Sequence, residues 1–158
     1  MAVPGQRILA ADFAGEEENY NGTNISGFTS TSFSEPSTVC GIIFTAPTSG
    51  KVEITAGANG EFNDGSDDNN NGNWTFHVRA GSSIGSGATV WTPTTDAGAG
   101  RIGDRLAAGD QAFGGQAGYR VSGLTPGSTY NATVVFIVTG GSIDIFAQWI
   151  MSRPCQSS

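Results

Sequence analysis

Lysine is almost missing from this chain: Lys51 is the one example in 158 residues. Lys and Arg together number 7 against 14 acids, for a net charge of −7, and no basic cluster occurs anywhere. Binding a phosphate backbone needs clustered cations, so no nucleic-acid partner is expected. Histidine is as scarce, with His77 alone and no companions at metal-ligand spacing. No G-x-S-x-G elbow, Walker-type loop or H-E-x-x-H helix appears. Glu53, Glu61 and Asp144 lie on or near strand patterns, but glycoside cleavage needs two acids facing each other across a cleft. The expectation is a non-enzymatic protein without a cofactor.

Cysteine is limited to Cys40 and Cys155, too few for a disulfide framework. Either the two form one bridge tying the last residues to an early strand, or they remain separate apolar side chains. Spacing does not decide between these. Cys40 sits inside an apolar run, which suits packing better than nucleophilic attack. No stretch approaches the ~18 apolar residues of a transmembrane helix, so no membrane span is expected. The opening "MAVPGQRILAADF" lacks a charged region followed by a long apolar run, so no secretory leader is expected either. The sequons at Asn21, Asn24, Asn73 and Asn131 are accordingly expected to be unmodified.

What remains is a chain that is only 13% charged, holds 24 glycines and is rich in Ser, Thr and Asn. That mix points to an all-β fold with many turns. In "KVEITAGAN", Val52, Ile54, Ala56 and Ala58 share one face; in "NWTFHVRAG", Trp74, Phe76, Val78 and Ala80 do. Period-two alternation of this kind marks strands with one buried face. "TVCGIIFTA", "GYRVSG", "STYNATVVFIVTG" and "SIDIFAQWIMS" add more, with shorter candidates at Phe28–Phe33 and Ala88–Thr92. The reading is an antiparallel β-sandwich, jelly roll or immunoglobulin-like, of about eight strands. Residues 1–25 make an N-terminal arm or first strand, with "GEEEN" as a solvated turn, and residues 26–158 the single sandwich domain. "RIGDRLAA" reads equally as a short helix or an irregular loop.

Two connections read as hairpins. Gly140–Gly141 separates the last two strands. "NDGSDDNNNGNW" separates the two alternating segments, and its Asp67, Asn69 and Asn71 match the first half of a calcium loop. The position that should hold a bidentate Glu is Val78, and a strand follows instead of a helix, so a solvated tip is the better reading.

Some strands are apolar on both faces. "VVFIV" at 134–138 and "CGIIF" at 40–44 are, and Phe146 and Ile150 lie opposite a face read as Ile143, Ile145, Ala147 and Trp149. Loops or the arm could cover such second faces; the reading preferred here is a subunit interface through Ile42, Val135, Ile137, Phe146 and Ile150. For a glycan, Trp74, Trp91, Trp149 and Tyr20 could offer flat rings. Alternation places Trp74 and Trp149 on core faces and leaves Trp91 as the exposed candidate.

Two stretches carry a resemblance. "IIFTAPTSGKVEITAGAN" resembles the F-x-A-P-x-x-G-x strand–turn–strand of TNF-like and complement-type trimeric jelly rolls, a pattern also found in tail and head-surface proteins of bacteriophages. "VSGLTPGSTYNATVVFIVTGGSIDIF" is similar to the L-x-P-G-x-x-Y corner of fibronectin type III sandwiches. There a Pro-Gly turn, here Pro126–Gly127, lets a tyrosine, here Tyr130, anchor a strand-crossing loop. With the opening "VPGQRILAADF", the chain resembles small virion-surface proteins of phages infecting actinobacteria. The resemblance implies a structural protein on the virion surface. Its first form is a capsid decoration (cement) protein that self-associates as a homotrimer and binds the major capsid protein. The alternative it implies is a minor tail subunit, or a receptor module for a host-surface glycan. The arm, with Val3, Pro4, Arg7, Ile8 and Leu9, is the expected capsid-docking element.

Overall fold

The computed structural model describes residues 15–63, 72–95, 98–102 and 111–155, and every regular element among them is a strand. In chain order these are β1 (Glu17–Asn21), β2 (Ile25–Phe28), β3 (Gly41–Thr45), β4 (Val52–Asn63), β5 (Gly72–Ala80), β6 (Thr89–Trp91), β7 (Gly100–Ile102), β8 (Gln111–Val121), β9 (Thr129–Val138) and β10 (Ser142–Pro154). Alternation is the local cause. Val52, Ile54, Ala56 and Ala58 of β4 are buried while Glu53 and Asn59 are exposed. Trp74, Phe76 and Val78 of β5 meet them from the facing sheet.

All pairings are antiparallel and build two sheets. The first runs β1–β10–β4–β8, with β2 also on β10; the second runs β3–β9–β5–β6, with β7 also on β5. Because β4 fills one side of β10 along its length, β1 and β2 share the other side as two pieces of one broken edge strand. β6 and β7 share the side of β5 that β9 leaves open. Counted this way the described residues hold eight strands, ordered 1-8-3-6 and 2-7-4-5, which is the jelly-roll winding. The expected sandwich of about eight strands is present, and of the two open topologies it is the jelly roll.

Both expected hairpins are corrected. β4 and β10 lie in the first sheet, β5 and β9 in the second, so neither β4–β5 nor β9–β10 is hydrogen-bonded as a pair. Gly141, at φ 66°, turns the chain from one sheet to the other. Among the described successive strands only β5 and β6 pair. Alternation tells which face of a strand is apolar and is silent about its neighbour. The acidic run is likewise no turn: Glu17–Asn21 pairs with β10, its glutamates exposed along the edge. The candidate strand at Phe28–Phe33 lies earlier, at Ile25–Phe28. Val3, Pro4, Arg7, Ile8 and Leu9 lie outside the described residues, as do Asp67, Asn69 and Asn71.

A bulge in β10 overturns the facing assigned to its second half. Ile145 stands opposite Gly60 and Ala147 opposite Asn59, so Phe146 is an extra residue in the ladder. One inserted residue reverses every side chain after it. Ile143 and Ile145 face the core, but beyond the bulge it is Gln148, Ile150 and Ser152 that do, opposite Ala58, Ala56 and Ile54. Ala147, Trp149, Met151 and Arg153 are turned to the outer face of the first sheet.

The cysteines are free. Cys40 packs in the core with its thiol 3.6 Å from the Gln148 carbonyl. Cys155 lies beyond the end of the same strand, where its amide bonds the Lys51 carbonyl. Seven residues of extended chain span roughly 20 Å, far beyond the reach of a disulfide. Burial pushes the Cys40 thiol up to about 11, so little thiolate exists there at neutral pH. Native protein treated with iodoacetamide is expected to take one label, on Cys155, and denatured protein two. Intact and peptide mass spectrometry read both counts, and early labelling of Cys40 would contradict the packing.

Candidate functional site

Pro126 and Gly127 form a closed turn at the entry to β9. The Ser128 amide donates to the Thr125 carbonyl at 3.1 Å, with Pro126 and Gly127 at the centre and Gly127 at φ 78°. That is a type II turn, which needs a residue of positive φ at its third place. The Tyr130 hydroxyl accepts from the Thr125 amide at 2.9 Å, and the Tyr130 ring stacks on Phe44 with centroids 5.8 Å apart. The corner fixes the entry to β9. It positions a strand and presents no reacting group.

β9 carries the outer face of the second sheet through Asn131, Thr133, Val135 and Ile137. The first three are fully buried, although they point away from the core. The chain covers them with its own segments. Asn131 donates to the carbonyls of Gly81 (3.1 Å) and Ser86 (3.0 Å) and accepts from the Gly85 amide (3.1 Å), which folds the β5–β6 loop back over the sheet. Gly85 and Gly87, at φ 74° and 109°, allow that path. Glu35 reaches across from the segment before β3, pairs with Arg79 at 2.6 Å and accepts from the Thr133 hydroxyl at 2.9 Å. Arg79 also donates to that hydroxyl at 3.3 Å.

The expected interface is therefore corrected at three positions. Val135 is enclosed on this face within the single chain, Ile42 points into the core from β3, and Ile150 is turned inward by the β10 bulge. Ile137 is half-buried, and Phe146, at the bulge, is 40% exposed. A different apolar group stands free. Val39, Ile43 and Ile84 are 39, 41 and 40% exposed. Gly41 lies between Val39 and Ile43 on the same side, and the Ile84 side chain fills the place of its missing Cβ. Three aliphatic side chains thus meet at the β3 edge of the second sheet. Sequence reading missed them because Ile84 comes from a loop.

Burial pushes the Glu35 carboxyl up, and the hydrogen bonds from Arg79 and Thr133 outweigh it, so the group titrates below its ordinary value. The His77 imidazole is held below its ordinary value by burial and by the Arg79 charge, against a smaller opposing effect of Glu35. Its Nε2 lies 3.2 Å from the Thr89 hydroxyl. This is a polar network that seals a face, and among the described residues no group of three His, Cys, Asp or Glu side chains is placed to hold a metal ion.

The outer face of the first sheet is different in kind. Tyr20 lies directly opposite Trp149 in the β1–β10 ladder and is 68% exposed. Trp149 in turn lies opposite Gly57, and its Cε2, Cζ2 and Nε1 crowd the place a Gly57 Cβ would take. Three fused-ring atoms meeting one point are the signature of a ring lying face-on over the strand. Glu18, Asn19, Tyr20, Trp149, Ile150 and Met151 line a depression of about 300 Å³ there. Trp149, assigned to the core from alternation, is thus half-buried on the outer face of the first sheet, again because of the bulge. Trp91, expected to be exposed, is half-buried as well: it stacks on Phe76 at 4.4 Å and tilts against Tyr119 at 5.6 Å. Trp74 is in the core as expected, stacked on Phe113 at 5.7 Å.

No protein-family model matches the chain, and no curated protein matches it in sequence.

Proposed function

We propose that this chain is a non-enzymatic structural protein of a bacteriophage virion, a capsid decoration protein that self-associates and docks on the major capsid protein. The setting rests on the strand–turn resemblance. The observation that carries the contact is the exposed Val39–Ile43–Ile84 group at the edge of the second sheet. It takes the place of Ile42, Val135 and Ile150 in the expected subunit interface, because those side chains are consumed within the chain. An aliphatic group of this size makes a modest contact by itself. Repeated over a shell, many modest contacts act together, which is how multivalent attachment gains strength.

The test pairs light scattering with co-sedimentation on capsids stripped of surface proteins. The wild-type chain is expected to run above its 16.2 kDa monomer mass and to pellet with capsids. Val39→Ser with Ile43→Ser is expected to stay folded, run as a monomer and remain in the supernatant. A wild-type monomer without affinity for capsids would overturn the proposal, as would a double variant that still associates.

A further inference from the structure

We propose that the outer face of the first sheet is a glycan-binding site for a neutral, β-linked hexopyranose chain, with Trp149 as the main stacking ring and Tyr20 as the second. The inference rests on the geometry of this face and not on the virion reading, so either can fail without the other.

Four observations carry it. First, the indole of Trp149 is laid over Gly57 where any other residue would push it off. A large aromatic on the solvent side of a sheet adds little to the core, so a glycine holding it flat points to use of its free face. Second, Tyr20 follows at the adjacent strand position. Neighbouring strands are about 5 Å apart, close to the length of one pyranose unit, so successive rings of a sugar chain crossing the strands meet successive aromatics.

Third, the floor continues low and polar. Gln116 stands opposite Gly57 on β8, Gly118 opposite Thr55 and Gly114 opposite Asn59. Gln116 and Asn59 are exposed, and Glu18 lines the depression on the other side. Amide and carboxylate groups around an apolar ring suit a ligand with an apolar C–H face and a rim of hydroxyls. Fourth, charge selects the kind of glycan. Glu18 lies at the site, and Arg120 and Arg153 stand opposite Glu53 further along the same face, so charge of both signs borders it and an uncharged chain suits it better than one of either sign. Equatorial β-linkages keep consecutive rings in a flat ribbon, which a flat sheet can receive. An α-linked helix touches it at one ring only.

Calorimetry on the full chain with cellohexaose and with β-1,4-mannohexaose, both linked through equatorial positions, tests the site. Maltohexaose and a heparin hexasaccharide serve as α-linked and anionic comparisons. Saturable binding of at least one β-linked probe is expected, together with a change in indole fluorescence. Trp149→Ala is expected to weaken binding about tenfold or more, as removal of a central aromatic does. Tyr20→Ala is expected to weaken it less, and Trp149→Phe to retain part of it with the fold intact by circular dichroism. The proposal is overturned if neither β-linked probe binds, if heparin or maltohexaose binds better, or if binding survives Trp149→Ala in a folded protein. It is also overturned if Trp149→Ala turns an oligomer into a monomer while no sugar binds, which would make this face a subunit contact.

Discussion

Phe76→Ala is expected to lower the unfolding free energy by about 3–5 kcal/mol, the largest single effect foreseen for this chain. Phe76 is fully buried on β5, between the two sheets. One side of its ring stacks on Trp91 at 4.4 Å and 21°. Deleting it removes apolar contact from both sheets at once and takes away the surface Trp91 leans on. The cavity cannot close easily, because β5 is held by β9 on one side and by β6 and β7 on the other. In a domain of this length each kcal/mol moves the melting temperature by roughly 2–4 °C. Melting is therefore expected about 6–20 °C lower, by calorimetry or circular dichroism. A loss of under 1 kcal/mol would mean that the sheets do not pack face to face here.

Glu35→Ala is expected to cost about 2–4 kcal/mol. The side chains of Glu35 and Arg79 are only 22 and 13% exposed, so removing the carboxylate leaves a guanidinium enclosed and the Thr133 hydroxyl without its acceptor. A fully enclosed pair loses roughly 3–5 kcal/mol when one partner goes, and partial exposure reduces that. Glu35→Ala with Arg79→Met should lose less than Glu35→Ala alone, because no stranded charge remains. Denaturant unfolding of the single and double variants makes the comparison.

Acid reads out the same network. In the unfolded chain the Glu35 carboxyl protonates in the ordinary carboxylate range, and in the folded chain lower. Its contribution is complete above that range and lost as pH falls through the folded value. His77 is likewise held below the ordinary imidazole range in the folded chain, so the unfolded chain takes up that proton first as well. Both groups make the fold weaker in acid. Stability is expected to decline first as pH drops below the imidazole range and again below the carboxylate range. His77→Asn should remove the upper step and Glu35→Gln the lower, in melting curves recorded across pH.

Much of the fold was legible in the residues. The alternation of Val52, Ile54, Ala56 and Ala58, and of Trp74, Phe76 and Val78, names strands and their buried faces correctly, because side chains on a strand alternate whatever it pairs with. The "TPGSTY" corner was legible too, since a type II turn demands the glycine at position 127. The candidate site was much less so. Ile84 joins Val39 and Ile43 only after a loop folds back, and the outward facing of Trp149 depends on one bulged residue.

By itself, then, the order of amino acids determined that this protein is a low-charge β-sandwich whose strands have alternating buried faces, since those choices depend on residues within a few positions of each other. The tertiary structure alone decided which strands are neighbours, that connections expected to be hairpins cross between sheets, and that Ile150 is inside while Trp149 is out. Those outcomes depend on contacts between residues far apart in the chain. A single extra residue at Phe146 exchanges two faces while leaving the local pattern of apolar and polar residues unchanged.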